Sequence, residues 1–428
     1  MPSPGRTALR IDSPLPILPA MDLPPEGPPL HVVVVGAGAF GVPAAIELRA
    51  RGHDVMILDP GPLPHPDAAS TDISKMVRMD YGDDELYLNL GDESLDVWER
   101  WNGSWTPDLF HRTGFLVLTS EAWTIGSFVR DTYEVLERRG QPVERMKAQQ
   151  VRERFPAWDS AVEWDGYVNR RAGWAESGRV VESLIERAGA VGVEVVPGES
   201  FAGFVERGSR VAGVRLASGR EVAADHVVMA AGAWTPVLLP ELADRIWALG
   251  QPVFHFQVDE PAAFQPPAFL PWAADISTAG WYGFPAKSDG RLKVSNHGPG
   301  IRVDPRDPRA VLPSTEEEFR DFLSRALPSV ANARVVATRL CLYTETFDND
   351  FWIDRDPARD GVTVATGGSG HGFKFAPVLG PIVADVVEGR ETATAHRFRW
   401  RELGERRVEP ARWGGPDPMA PGPTAEPA

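Results

Sequence analysis

An α/β fold of two interleaved lobes is predicted by three observations. Residues 31–60 read as strand, glycine turn, helix and second strand; residues 362–374 read as another strand entering a glycine-rich turn; and the alternation of strands and helices breaks off twice between them.

The first stretch is HVVVVGAGAFGVPAAIELRARGHDVMILDP. Four consecutive valines, Val32, Val33, Val34 and Val35, suit a strand buried on both faces. They run into Gly36, Gly38 and Gly41 at G-x-G-x-x-G spacing, with Ala39 and Phe40 inside the turn. Gly36 permits the tight turn, Gly38 lets the backbone approach a pyrophosphate, and Gly41 lets the next helix pack closely on the strand. Ala44, Ala45, Leu48 and Ala50 follow a roughly 3.6-residue period, and the free amides at the helix start favour phosphate. Pro43 falls in the first turn, where a missing amide costs little. Gly52 ends the helix, and a strand at 54–58 delivers Asp59, a carboxylate placed to hydrogen-bond a ribose hydroxyl. An acid there argues against a 2′-phosphate, which leaves FAD or NAD as the dinucleotide.

At 428 residues the chain is longer than one hydrophobic core usually serves. Its 43% hydrophobic and 24% charged residues are those of an ordinary globular protein, and a net charge of -16 disfavours nucleic acid or an anionic membrane as partner. The single cysteine, Cys341, excludes internal disulfides and suits a reducing, cytoplasmic setting. No apolar run approaches the roughly 20 residues needed to cross a bilayer. Residues 1–30, rich in proline, are expected to form a flexible arm, and residues 413–428 a disordered tail.

After Asp59 the pattern that would complete an NAD-type sheet stops. A loop at 61–70 leads to a segment whose Leu86, Leu90, Leu95 and Trp98 suggest helix, followed by a strand at 114–119 and a helix at 128–139. Ser177 is positioned to cap a helix carrying Val180, Val181, Leu184, Ile185 and Ala188 on one face, with a short strand at 193–196 behind it. Strands at 201–205, 211–216 and 221–229 are separated by the turn signals at Gly208 and Gly219. The last ends in Ala230, Ala231, Gly232 and Ala233, small enough for a cofactor to lie close. A helix is expected at 316–327, and another at 376–387 after the second glycine turn. The cofactor lobe is thus assembled from 31–82, 165–245 and 341–402, and the substrate lobe from 83–164 and 246–340.

The glycine fingerprint together with SKMVRMDYG from Ser74, WYGFP from Trp281, GRLKVSNH from Gly290, RLCLYT from Arg339 and GGSGHGFKFAPVLGPIVADVV from Gly367 resembles the monomeric sarcosine oxidase and fructosyl-amino-acid oxidase branch of the D-amino-acid-oxidase flavoenzyme superfamily. The resemblance runs in order from about residue 32 to 401. It implies a glutathione-reductase-type, Rossmann-like FAD-binding domain with an interleaved α+β substrate domain built on an antiparallel-rich sheet. It also implies a monomer that oxidises the C–N bond of a secondary or N-substituted amino acid, with hydride passing to flavin N5, an imine product, and dioxygen reduced to hydrogen peroxide.

Residue by residue, Cys341 resembles the cysteine joined through sulfur to the flavin 8α-methyl, although a lone cysteine is ordinarily a small buried hydrophobe. Lys293 resembles the lysine that helps dioxygen react; a fixed ammonium in a water-poor site stabilises the charge dioxygen acquires. Ser74 and Lys75 fall where the family contacts the cofactor, as do Gly368, Gly370, His371 and Gly372 in the second turn. Lys374 is expected both there and against the substrate carboxylate. Arg78 resembles the arginine that pairs with that carboxylate, a task suited to its fork. Tyr282, His297 and Tyr343 match positions lining the substrate pocket. Lys75 follows the fructosyl-amine oxidases, whereas His297 departs from the acid they tend to carry. The segment from Arg397 to Arg401 resembles the one that closes many of them. No metal site is expected. The alternatives are a dehydrogenase or biosynthetic tailoring flavoenzyme that passes electrons elsewhere, an NAD-dependent dehydrogenase, and a flavin-binding protein without catalysis.

Overall fold

The computed structural model describes residues 28–158 and 160–415. The proposed arm and tail lie outside the described residues, apart from 28–30 and 413–415.

One lobe is built on a six-stranded sheet in the spatial order Trp352–Arg355, Val362–Thr366, His226–Met229, His31–Val35, Asp54–Asp59 and Glu194–Pro197. All neighbours are parallel except the first pair. The valine strand lies at its centre, with Val32, Val33 and Val34 almost wholly excluded from water; burying each side chain is worth about 1.5–3 kcal/mol. From this strand the chain goes to Asp54–Asp59 on one side, while the other side is filled by His226–Met229, so a crevice opens at its carboxyl end. Helices Gly41–Ala50, Ser177–Ala190 and Ala376–Glu388 cover the sheet. The first and last of these approach closely: a Cβ on Gly380 would lie 2.6 Å from the Pro43 carbonyl oxygen.

The other lobe holds a nine-stranded, mostly antiparallel sheet. Its long strand Ile246–Gln257 pairs on one side with Arg291–Asn296, setting His255 opposite Lys293, and on the other with Arg334–Thr346, setting Gln251 opposite Cys341 and Leu249 opposite Tyr343. Pairing register alone therefore brings residues some fifty positions apart to the same face. Strand Asp165–Asn169 belongs to this sheet, and Arg334–Thr346 passes residue 340 without a break. Helix Glu85–Asn102, capped by Asp84 accepting from the Tyr87 amide at 3.2 Å, packs against the last helix of the first lobe. Its Trp98 indole and Ser94 hydroxyl both donate to the Lys374 carbonyl, at 2.7 and 2.5 Å.

Two local expectations need correction. Ser177 is the first helical residue and not the cap, which is Glu176; its hydroxyl donates instead to the Asp72 carbonyl at 2.9 Å. The strand expected at 221–229 is two, Glu221–Ala223 in a three-stranded antiparallel sheet and His226–Met229 in the parallel sheet. The break falls where Asp225 turns its carboxylate to accept from the His31 amide at 2.9 Å. No helix among the described residues is long and apolar enough to cross a membrane.

Candidate active site

Both glycine turns line one cavity of about 690 Å³, the first through Gly36, Gly38, Ala39 and Phe40 and the second through Gly368, Gly370 and Gly372. They pack on each other: a Cβ on Gly372 would lie 2.9 Å from the Phe40 ring. A Cβ on Gly36, whose φ is 112°, would meet the Ala230 carbonyl oxygen at 2.4 Å, and one on Gly41 the Gly36 oxygen at 1.9 Å. Only glycine allows this close cradle. Asp59 faces the cavity and also braces the turn, accepting from the Ala37 amide at 2.9 Å and the Gly61 amide at 3.1 Å. In the second turn Gly367, Ser369 and Gly370 all have positive φ. For the serine that is a strained conformation, held by its amide donating to the Thr344 carbonyl at 2.9 Å, on the strand that carries Cys341. Volume, close-packed glycine backbone and acid together fit an adenine dinucleotide.

A smaller cavity of about 90 Å³ adjoins this channel, and Lys75, Cys341, Tyr343, Gly370 and Phe373 line both. The buried Cys341 thiol is therefore at the junction. The His297 ring packs beside both Tyr343 and Tyr282, with centroids 5.7 and 6.4 Å away. Burial pushes the Tyr282 hydroxyl up to about 12, so it is a hydrogen-bonding group and not an anion.

Lys293 is 2% exposed, and its ammonium donates to Asp72 at 2.5 Å and to the Ser74 carbonyl at 2.7 Å. Burial lowers its pKa to about 8, against the upward pull of Asp72. Burial alone would raise the Asp72 carboxyl, but Lys293 and His255, whose Nε2 is 3.4 Å away, outweigh it and hold the group well below its ordinary range.

At the cationic end, Lys374 donates to the Tyr81 hydroxyl at 2.8 Å and to the His371 carbonyl at 2.9 Å. Burial and the neighbouring Arg78 depress its pKa strongly. The His371 ring is fixed by Tyr81 and by the Asn349 carbonyl, both at 3.0 Å, and burial brings it down to about 4, a neutral imidazole. Arg78 donates to the Asp80 carbonyl and, at 3.0 Å, to the carboxylate of Glu409.

Glu409 arrives on a C-terminal segment clipped to an acidic loop. Arg397 bridges Asp84 and Asp350, Arg401 pairs with Asp348, and Arg412 pairs with Glu345. The segment ends with Ala411 in the wall of the smaller cavity and the Trp413 amide on the His297 carbonyl at 3.3 Å. Trp413, expected in the tail, is thus folded against the site.

Of the residues expected here, Lys293, Arg78, Lys374, His297, Tyr282 and Tyr343 all line the smaller cavity. His371, expected beside the cofactor, also lines this cavity. Ser74 lines neither; it is buried and offers Lys293 its carbonyl. Sequence reasoning passed over Asp72, Tyr81, His255 and Glu409. Tyr81 and Asp72 sit in or beside the SKMVRMDYG motif and could have been noticed there, whereas nothing local in VEPARW marks Glu409.

Residues 31–386 match the model of the FAD dependent oxidoreductase family. The chain is 30% identical over 377 residues to a monomeric sarcosine oxidase of Streptomyces avermitilis, covering 86% of this chain and 95% of that one. It is 27% identical over 361 residues to the monomeric sarcosine oxidase of Bacillus sp. (strain B-0618), covering 83% and 91%. Among solved structures it resembles the fructosyl amine: oxygen oxidoreductase (Amadoriase I) of Aspergillus fumigatus at 26% identity and a TM-score of 0.76, covering 92% and 96%.

Proposed function

The chain belongs to the family of FAD dependent oxidoreductases, and from that premise we propose that it oxidises the C–N bond of a secondary or N-substituted amino acid with dioxygen as acceptor. Bound FAD would supply the electron sink, taking hydride from the carbon beside nitrogen and passing the electrons to dioxygen as hydrogen peroxide. The observation that carries the reading is the junction of the two cavities: Cys341 and Tyr343 line both, with Lys293 on the same wall of the smaller one.

The chain's own groups then divide the work. Gly36, Gly38 and Asp59 hold the adenine side, and the turn at Gly368 and Gly370 closes on the rest. Cys341 is the attachment point for a covalent flavin. Lys374 gives one end of the cavity the positive charge that draws a carboxylate, beside an Arg78 whose charge Glu409 already meets. Tyr282, His297 and Tyr343 orient a neutral amine between their rings. Burial of the cavity excludes water and strengthens each of these interactions. Lys293 keeps a positive charge where dioxygen becomes negative. All of these groups come from one chain, so the reading needs no second copy. Asp72 is the observation that favours another acceptor, because its carboxylate already offsets the Lys293 ammonium.

Peroxide release on a panel of N-methyl, cyclic and glycated amino acids tests the reading; a panel oxidised only with an artificial acceptor would move it to a dehydrogenase. Acid precipitation is expected to leave the yellow colour with the wild-type chain and to release it from Cys341→Ser. Colour that washes off both proteins would remove the covalent link. Because Lys293 titrates near 8, the rate of the dioxygen step should be level below that pH and fall by up to about tenfold per unit above it. Lys293→Met should flatten the profile, and an unchanged fall in that variant would assign the titration elsewhere.

A further inference from the structure

Glu409 lies beyond residues 31–386, the reach of the family match, yet its carboxylate is buried against Arg78 at 3.0 Å. It is a resident and not a passing contact. Its own amide donates to the Asn349 side chain at 2.9 Å, and three residues on, Arg412 is held by Glu345 and by the Gly298 carbonyl. The cations around the smaller cavity therefore fall into two kinds. Arg78 has Glu409 and Lys293 has Asp72, at 3.0 and 2.5 Å. Lys374 and Lys75 have no carboxylate in ion-pair contact among the described residues, and the partners of Lys374 are a hydroxyl and a carbonyl. Arg78 already spends two of its N–H groups on the Asp80 carbonyl and on Glu409, and the Glu409 carboxylate supplies the counter-charge that a substrate carboxylate would otherwise bring.

We propose that Glu409 is a specificity-determining residue that takes the place of a substrate carboxylate on Arg78, so that anion recognition passes to Lys374 and the site accepts an amine with one carboxylate and refuses a second one near Arg78. This rests on the smaller cavity being the amine site and names the class of amine. Refusal is electrostatic: a second carboxylate beside Glu409 would set two anions against one guanidinium in a buried place. Acceptance at Lys374 follows from the same physics, since a bound carboxylate supplies the counter-charge that burial has denied that ammonium.

The FAD-loaded protein can be titrated with acetate and with succinate at constant ionic strength, following the melting temperature, which does not depend on turnover. In the wild type acetate is expected to stabilise, and Lys374→Met to abolish the effect. In Glu409→Gln, which frees Arg78, succinate should half-saturate at a concentration at least about tenfold lower, and acetate should stabilise again in the Glu409→Gln/Lys374→Met double variant. Acetate binding that survives Lys374→Met with Glu409 intact, or succinate affinity unmoved by Glu409→Gln, would overturn the proposal. If Glu409→Gln does not fold, Arg78→Met/Glu409→Gln removes the pair together; acetate should then half-saturate within about twofold of the wild type, and a loss beyond about tenfold would return the carboxylate to Arg78. Absence of peroxide from every amine, with these ligand shifts intact, would instead count against the oxidase reading alone.

Discussion

Replacing Lys293 with methionine is expected to slow the dioxygen half-reaction by about 10²–10³-fold, the usual cost of removing one group that stabilises developing charge in a dry site. Reduction by the amine should change by less than about threefold, because the lysine is tied to Asp72 and the Ser74 carbonyl and makes no bond across the substrate cavity. Rapid mixing separates the two steps: anaerobic reduction first, then exposure to oxygenated buffer. Equal slowing of both would remove the assigned role. The substitution has a structural cost that must be kept apart, since it leaves Asp72 buried without its main partner, a loss of about 3–5 kcal/mol for broken buried pairs. Asp72→Asn/Lys293→Met removes both charges. It should recover most of the melting temperature while the dioxygen step stays slow.

Gly41→Ala is expected to yield a chain that retains no flavin. The added methyl would have to sit 1.9 Å from the Gly36 oxygen and 3.2 Å from Val34. Both neighbours are fixed, one in the glycine turn and one in the central strand, so the helix must move off the sheet. Overpacking of this kind costs about 1–3 kcal/mol and here falls on the cradle itself. Gly52→Ala is the control: that residue has a φ of 92° but no atom within 4 Å of an added Cβ. It should lose about 1 kcal/mol through backbone strain and keep its colour. The ratio of flavin absorbance to protein absorbance in the two purified variants decides; a yellow Gly41→Ala protein would mean that the turn tolerates what its geometry forbids.

The fold class and the glycine turn that lines the larger cavity were legible because their signals are short-range. A four-valine strand, a glycine spacing and an acid at the end of the next strand all occur within thirty residues, and each follows from burial or backbone sterics alone. The split of 221–229 into two strands was not legible. Both halves carry strand-forming residues, and they separate because each pairs with a different sheet, with Asp225 bonded to His31, 194 positions away, at the break. The cap at Ser177 failed for a similar reason, since the Asp72 carbonyl takes its hydroxyl.

The sequence by itself determined the glycine-turned strand–helix–strand unit, the second glycine turn and the chemistry-bearing residue types, because these depend on propensity, periodicity and spacing along the chain. Only the tertiary structure decided how their charges are matched. Asp72 against Lys293 and Glu409 against Arg78 are pairings across 221 and 331 positions. A buried ion pair is set by where strand register and a folded C-terminal segment happen to bring two groups together, and no local pattern encodes that meeting.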